Sequence, residues 1–212
     1  IRVSLTEDAV YEIPVARALV DQITALRAKH GSAIAELGWD EVPWCPFEYR
    51  RRPSAKLEVQ GIALGGDETV RVFTTQSKWS ALAHKLEKLG DYQPEILIET
   101  SGVLELDPRD EAALAALNAS ETPQLITVAN GLDVPVIPAF RLLAAKADAR
   151  HPILLKDTLF PVAETGQDFL TTLLTASMNL GSLLCDGIGD AVIVQGEEAP
   201  GQSLRLTYNI LQ

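Results

Sequence analysis

The stretch that decides the fold runs Gly181-Ser-Leu-Leu-Cys-Asp-Gly-Ile-Gly-Asp190 and continues as Ala191-Val-Ile-Val194. It follows a helical pattern over 165–180. The apolar runs on either side of the glycines predict a strand, a tight turn and a second strand within 182–194. A helix that leads the chain back to a buried, β-branched strand is typical of an α/β domain.

The same alternation of strand and helix patterns begins at Lys56. Strand-like runs lie at 56–64, 69–74, 95–100, 124–129 and 152–157, and helical patterns lie at 77–89, 109–118 and 136–149. Gly65-Gly66-Asp67 predicts a hairpin turn between the first two strands. Strands that alternate with helices favour βαβ units, so we predict an α/β fold with a mainly parallel sheet.

Both ends of the chain are also patterned. The opening Ile1-Arg-Val-Ser-Leu predicts a strand, and the helical spacing that follows predicts a helix that stops at Gly31. Residues 1–20 align without a gap with 192–211, and both segments indicate a strand, an acidic turn and a helix. On that interpretation 204–212 is helical, although its local alternation favours a strand. Because the patterns stop abruptly at both ends, we expect the chain to be excised from a longer polypeptide.

The composition excludes several classes of protein. With 212 residues, 47% hydrophobic and 22% charged, the chain suits a folded domain and not a disordered one. Its net charge of −11 disfavours nucleic acid and anionic membrane surfaces as partners. No apolar run reaches the roughly 20 residues of a membrane span. Cys45 and Cys185 are too few for a disulfide framework, which favours a reducing, cytoplasmic compartment.

The usual motifs of catalysis and metal binding are absent from the sequence. It contains neither a Gly-rich nucleotide-binding loop nor a GxSxG nucleophile. His30, His84 and His151 lie far apart and lack the spacing of metal ligands. We therefore predict no metal site and assign no catalytic residue.

The most distinctive candidate is a tight turn, here called the rim turn, made by Asp186, Gly187, Gly189 and Asp190. At the carboxyl-end rim of a barrel, its glycine N–H groups could approach an anion. Alternatively, the glycines only permit positive φ while the two aspartates cap backbone N–H groups. Glu99 and Lys156 also lie where predicted strands end, the usual place for ligands in parallel sheets, and Glu99 could act as a general base.

Three segments of the sequence carry a resemblance to a known family. IRVSLTED at 1–8, SLLCDGIGDAVIV at 182–194 and YNILQ at 208–212 resemble the long, three-domain form of 4-hydroxy-3-methylbut-2-enyl diphosphate synthase. The middle of the chain carries no motif specific to the family. By position, it would be the central domain inserted between a substrate-binding barrel and an iron-sulfur domain.

The resemblance implies a function for a larger protein. That protein would be an oxidoreductase of the methylerythritol phosphate route of isoprenoid biosynthesis, reductively opening methylerythritol cyclodiphosphate. Ferredoxin or flavodoxin would supply electrons through a [4Fe-4S] cluster whose cysteines lie beyond Gln212, so this chain alone should be inactive and hold no cofactor. Arg2 and Ser4 match the positions that hold the substrate diphosphate on the last barrel strand.

The resemblance also implies a division of the chain. Residues 1–30 would be the last strand and helix of the N-terminal barrel, and 31–55 a Pro/Trp/Arg-rich linker. Residues 56–203 would be a non-catalytic scaffold that packs against the barrel and the cluster domain, and 204–212 would begin the helix leading to the cluster domain. Since about 150 residues are too few for eight βα units, we expect an incomplete or degenerate TIM-barrel-like domain.

Two other functions stay open from the residues alone. One is an independent α/β-barrel enzyme or binding domain for a phosphorylated metabolite, using the rim turn with Glu99 and Lys156. The other is a docking role in which the acidic surface binds a partner protein in a salt-dependent way.

Overall fold

The computed structural model describes residues 3–4, 8–36, 48–161, 168–197 and 199–212. Arg2, Cys45 and most of the predicted strand at 1–5 lie outside these ranges, as does much of the predicted linker. Val3 and Ser4 lie in no strand or helix, and Ser4 is exposed.

The described residues form eight β-strands and six α-helices. The strands are β1 (Leu57–Val59), β2 (Ile62–Leu64), β3 (Arg71–Thr74), β4 (Ile96–Leu97), β5 (Leu104–Leu106), β6 (Ile126–Val128), β7 (Leu154–Lys156) and β8 (Ala191–Ile193). The helices are α1 (Glu12–Glu36), α2 (Gln76–Leu82), α3 (Glu111–Ala119), α4 (Val136–Lys146), α5 (Phe169–Cys185) and α6 (Pro200–Leu211). None of these helices is both long and apolar enough to cross a membrane.

Strands β3 to β8 run parallel to their neighbours and nearly close on themselves. β4, β3, β8 and β7 form one sheet in that order, and β5 pairs with β6. A parallel bridge between Ile126 and Ile153 places β6 beside β7. The first of these strands, β3, thus lies beside the last, β8, as in a barrel, whereas no pairing in the described chain joins β4 to β5. The prediction of an α/β fold with an incomplete barrel is confirmed.

The two faces of the sheet carry separate hydrophobic clusters, because side chains alternate along each strand. One face packs against the helices through Val72, Ile126, Val128, Ile153, Leu155 and Val192, which join Phe140, Leu143, Leu180, Leu183 and Leu204. The other face forms the barrel interior, where Phe73, Ile96, Leu154, Ala191 and Ile193 contact a cluster that includes Val59 and Leu64. The β1–β2 hairpin therefore closes part of the interior.

The hairpin lies at a different position from the one predicted. Gln60 (φ 53°) and Gly61 (φ 79°) form the turn between antiparallel β1 and β2, inside the predicted strand 56–64. Gly65 and Gly66 also take positive φ but lead into β3, which pairs in parallel with its neighbours. The prediction of a hairpin at Gly65 was wrong, because a glycine pair marks positive φ without showing whether the next strand returns beside the previous one.

Gln60 has a second role at the edge of the barrel. Its side-chain amide donates to the carbonyl oxygen of Leu97 at 2.7 Å and accepts from the Leu97 N–H at 3.0 Å. These two bonds resemble those that a neighbouring strand would make. The side chain thereby satisfies part of the free edge of β4.

Residues 182–185, predicted as a strand, belong to α5, which continues to Cys185. Leu180 and Leu183 are buried three residues apart on one face of that helix. A short apolar run fits either a buried strand or a helix, so the local pattern could not separate the two. The prediction of a strand before the rim turn was wrong.

The two helices at the ends of the chain differ in how well they were predicted. α6 spans Pro200–Leu211, which confirms the helical interpretation of 204–212 and places Pro200 in the first turn, where no N–H bond is lost. α1 continues past the predicted stop at Gly31 to Glu36. Gly31 is not among the residues with positive φ, the conformation in which a glycine ends a helix.

Candidate functional site

The rim turn lies at the amino edge of the parallel sheet, not at the carboxyl edge expected from the sequence. α5 leads into the turn and β8 begins at Ala191 directly after it. A loop from a helix to a parallel strand lies where the strands begin, whereas ligands of parallel barrels bind where the strands end.

The two aspartates of the rim turn bind other parts of the protein. One carboxylate oxygen of Asp190 accepts from Ser54 Oγ at 2.6 Å and from Arg51 at 3.3 Å. The other accepts from the Ile153 N–H at 2.9 Å. Asp186 accepts from Arg141 Nε at 2.7 Å. These carboxylates therefore hold neighbouring segments together, which fits the capping interpretation of the turn better than anion binding.

Gly187 allows the chain after the linker to approach the rim turn closely. It has φ 78°, and a Cβ built there would overlap the carbonyl group of Arg50, with the carbonyl carbon at 2.7 Å. Its own carbonyl accepts from the Arg52 N–H at 2.8 Å. We call residues 50–55, which cross the amino edge of the sheet here, the strap.

Arg52 fastens the strap to the end of α4. Its guanidinium donates to five backbone carbonyl oxygens, those of Ala144, Ala147, Asp148, Ala149 and His151. The carbonyls at a helix end lack partners within the helix, so a planar cation with several donors suits them. Burial lowers the pKa of Arg52, and the nearby Asp190 opposes that shift. The contacts at the amino edge thus have a structural role, since they hold the strap against the end of α4.

The carboxyl edge has a polar cluster of its own, centred on Lys156. This side chain is fully buried, and its Nζ donates to Glu105 Oε1 at 2.5 Å, Val128 O at 3.0 Å and Asn130 Oδ1 at 3.2 Å. Burial lowers the pKa of Lys156, while Glu105 raises it. The ammonium group has all three of its hydrogen bonds satisfied.

Gln195 extends this cluster to the end of β8. Its side-chain amide donates to Asn130 Oδ1 at 3.0 Å and to the carbonyl oxygen of Thr158. The carboxyl-edge cluster therefore consists of Glu105, Asn130, Lys156 and Gln195, from or just after β5, β6, β7 and β8. Sequence reasoning singled out Lys156 alone. The position of Asn130 and Gln195 just after apolar strand runs was a signal that could have pointed to them.

Asp157 is buried next to Lys156 in the chain. Its carboxylate accepts from the Gln195 N–H at 2.7 Å and from the Gly196 N–H at 3.1 Å. Burial raises the pKa of Asp157 to about 6, although these N–H groups lower it. A carboxyl group with such a pKa can exchange a proton near neutral pH. Its oxygens are occupied in holding the loop after β8.

Glu99 caps α2 and does not join this cluster. Both of its carboxylate oxygens accept from the Gln76 N–H, at 2.9 and 3.0 Å. Gln76 is the first residue of α2, so the negative charge lies at the positive end of the helix dipole. The structure thus places the rim turn at the opposite edge of the sheet from Glu99 and Lys156, although the sequence had grouped all three as one candidate site.

The described residues do not fit a [4Fe-4S] cluster, which is usually held by four cysteine thiolates. Among them, no group of three or more His, Cys, Asp or Glu side chains could hold a metal ion. Cys185 is exposed and free. His151 is buried, and its Nδ1 accepts from the Gln124 N–H at 3.1 Å.

Comparison with known proteins gives one strong similarity. No family model matches the chain. The chain is 41% identical over 212 residues to a 4-hydroxy-3-methylbut-2-en-1-yl diphosphate synthase (flavodoxin) of Akkermansia muciniphila, covering all of this chain and 35% of that protein. A protein of the same name from Chlorobaculum tepidum is 37% identical over 79 residues, or 32% of this chain and 11% of that protein.

The chain thus spans about a third of the length of the Akkermansia relative, with a match from end to end. The shorter match to the Chlorobaculum protein carries the same name. The resemblance seen in the sequence is confirmed: over its whole length, this chain is similar to one segment of a 4-hydroxy-3-methylbut-2-en-1-yl diphosphate synthase.

Proposed function

We propose that the chain is part of a 4-hydroxy-3-methylbut-2-enyl diphosphate synthase, and that residues 56–203 are a scaffold domain without catalytic residues. The observation that carries this proposal is the 41% identity along the entire chain. The whole protein would be a cytoplasmic oxidoreductase of isoprenoid biosynthesis that opens methylerythritol cyclodiphosphate reductively. Flavodoxin, which the names of the relatives specify, or ferredoxin would donate the electrons.

The proposed [4Fe-4S] cluster would be held by residues other than those described here. Within the described ranges, the acidic side chains discussed above are used in caps, ion pairs and turns. When bound, the cluster would supply the electron transfer of the reaction. The part of the protein described here would instead keep the neighbouring parts in place.

The surface of α1 supports the proposed assignment of this helix to a preceding barrel. This helix and the turn before it expose six large apolar side chains, namely Val10, Tyr11, Ile13, Val20, Ile23 and Leu26. A helix in a folded protein normally buries such residues against a partner. In the proposal, the strands of a preceding barrel cover this face. Arg2 and Ser4 would hold the substrate diphosphate at the end of that barrel.

α6 supports the proposed link to the cluster domain. Ser203, Leu204, Leu206 and Thr207 are buried, and Leu204 and Leu206 belong to the same core as the sheet. The Tyr208 ring meets Tyr92 edge-on at 5.3 Å. A domain that follows 204–212 would therefore be attached through a helix anchored in the scaffold.

Substitutions in the whole protein test the scaffold role. Lys156→Met removes the positive charge of the carboxyl-edge cluster. Turnover with reduced flavodoxin should stay within about twofold of wild type, which corresponds to about 0.4 kcal/mol. Arg2→Lys is the matched control, because a lysine cannot grip a diphosphate with two parallel bonds. That variant should lose substrate affinity. A loss of turnover in Lys156→Met, with unchanged circular dichroism, would show that the domain takes part in catalysis.

A second candidate function is binding of a phosphorylated metabolite at the carboxyl-edge cluster. The observation that favours it is a buried ammonium, that of Lys156, in contact with polar side chains at the carboxyl edge, where parallel barrels bind ligands. Calorimetric titration of the chain with a panel of phosphate esters tests it. Binding that disappears in Lys156→Met would favour this function, whereas no binding to the wild-type chain would favour the scaffold.

A further inference from the structure

The strap is joined to the scaffold through its backbone. The Arg52 N–H donates to Gly187 O at 2.8 Å, and the Ala55 N–H donates to Arg150 O at 3.0 Å. Gly65 lies against Ala55 so closely that a Cβ there would overlap the Ala55 carbonyl group. The strap is therefore held by backbone hydrogen bonds to two separate loops, as an added strand is held by backbone bonds at the edge of a sheet.

The side chains of Ser54 and Arg51 add four further hydrogen bonds. Ser54 Oγ donates to Asp190 and accepts from the Gly66 N–H at 2.9 Å. Arg51 reaches the carbonyl oxygen of Glu68 at 2.8 Å in addition to Asp190. Together with the five bonds of Arg52, these contacts connect the strap to the ends of α4 and α5 and to the loop before β3.

α1, on the other side of the linker, packs against α5 and makes polar contacts that are more exposed than those of the strap. Its ion pair between Lys29 and Asp133 spans 2.8 Å, but the two side chains are 60% and 73% exposed. Gln22 donates to Thr171 O at 3.2 Å. Exposed ion pairs contribute little to stability, because water screens the charges and the side chains lose entropy.

We propose that the strap acts as a clamp: residues 50–55 move together with the scaffold as one rigid body. The rigid body therefore begins at Arg50 and not at residue 56. Arg52 and Asp190 hold this boundary in place. Any hinge between the scaffold and the part of the protein before it lies ahead of residue 50. The inference rests on the proposed function, in which the scaffold sits between two other parts of one protein.

The rate of trypsin cleavage after Arg50 and Arg51 measures how firmly the strap is held, because a protease cleaves only where the chain can open locally. Limited trypsin digestion of the whole protein, with mass spectrometry to identify each cut, gives the rate at these two bonds. In the wild-type protein both bonds should resist cleavage under native conditions. Rapid cleavage there, while circular dichroism shows a folded protein, would overturn the proposal.

Gly187→Ala and Gly61→Ala form a matched pair. The two glycines have nearly the same φ, 78° and 79°, but a Cβ at Gly61 has nothing within 4 Å whereas one at Gly187 overlaps Arg50. Both variants carry the same backbone strain, and only Gly187→Ala displaces the strap. We expect cleavage after Arg50 and Arg51 to accelerate about tenfold or more in Gly187→Ala and to stay at the wild-type rate in Gly61→Ala.

Equal rates of cleavage after Arg50 and Arg51 in Gly187→Ala and Gly61→Ala would overturn the proposal. If Gly187→Ala does not fold, Asp190→Asn replaces it, since the amide cannot accept the same set of bonds from Ser54, Arg51 and Ile153. Wild-type cleavage rates in a folded Asp190→Asn protein would also refute the proposal. The digestion does not depend on turnover, so its failure is distinguishable from a failure of the proposed function.

Discussion

The amino and carboxyl edges of the sheet both bury charged side chains but use them differently. At the amino edge, the Asp190 side chain is 5% exposed and binds Arg51 and Ser54 of the strap. At the carboxyl edge, Lys156 is 0% exposed, yet its charged partner Glu105 is 42% exposed. Removing Asp190 would leave the buried Ile153 N–H without its acceptor, whereas Glu105 could turn to water if Lys156 were lost. We infer that the amino edge supports the fold more than the carboxyl edge does.

The largest expected effect is at the amino edge. Asp190→Ala should lower the free energy of unfolding by about 3 kcal/mol, because the buried Ile153 N–H and the partly buried Arg51 and Ser54 all lose the carboxylate that they share. Urea denaturation followed by circular dichroism measures this. Asp107→Ala, which removes an exposed pair with Arg109, is the control and should change stability by about 1 kcal/mol or less. A loss below about 1 kcal/mol for Asp190→Ala would reverse the ranking of the two edges.

The pH dependence of stability tests the carboxyl edge separately from the amino edge, because Asp157 lies at the carboxyl edge. Burial raises its pKa from 3.8 to about 6, so the folded state favours the protonated form. This contribution is fully present below about pH 4 and is lost as the pH rises through about 6. Between pH 4 and 7.5, wild type should therefore lose roughly 2 kcal/mol relative to Asp157→Asn, measured by urea denaturation at both values.

His151 shifts stability in the opposite direction. Burial lowers its pKa, with Arg150 as a second cause, so the folded state binds a proton less readily than the unfolded one. Its stabilisation is present at neutral pH and is lost as the pH falls below about 6.5. Because His151 is unchanged in both proteins, its effect cancels in the comparison with Asp157→Asn. Parallel pH profiles of the two proteins would contradict the shifted pKa of Asp157.

A smaller effect is expected at Lys156. Lys156→Met should change the free energy of unfolding by about 1 kcal/mol or less, because an apolar side chain of similar length replaces a buried ion pair whose partner can reach solvent. Lys156→Ala should cost more, about 2 kcal/mol or above, since it leaves a cavity. Thermal and urea denaturation of both variants separate the effect of the lost charge on stability from the effect of the lost side-chain volume. Equal losses in the two variants would mean that the charge itself stabilises this edge.

The smallest effect should come from the exposed contact of α1. Lys29→Ala removes the pair with Asp133 and should change stability by about 0.5 kcal/mol or less. Urea denaturation at low and high salt checks this value. A loss above about 1 kcal/mol that disappears in high salt would show that α1 is held more tightly than its exposure indicates.

Individual strands show why some elements could be predicted and others could not. The run Ala191-Val-Ile-Val194 was predicted as a strand and contains β8, because four consecutive apolar residues suit a strand buried on both faces. β5 was missed, since Leu104 and Glu105 are exposed at the edge of the barrel and give no continuous apolar run. The hairpin was misplaced because Gln60, a non-glycine residue, takes a positive φ in the turn.

The candidate sites were less predictable than the fold. Lys156 was found because it ends a predicted strand, but Glu105 and Asn130 become its partners only when β5 and β6 lie beside β7. The rim turn was recognised as a turn from its glycines. Its position depended on whether 182–185 was a strand or a helix, which a short apolar run does not settle.

By itself, the sequence determined the alternation of helices and strands, the mainly parallel sheet and the resemblance carried by three of its segments. Those properties are local, because periodicity reports which side of an element is buried within a few residues. Only the tertiary structure decided which edge holds the rim turn and which residues bind Asp190. Its partners Ser54 and Arg51 are 136 and 139 positions away, and contacts at that separation arise when packing brings distant segments to one edge of the sheet.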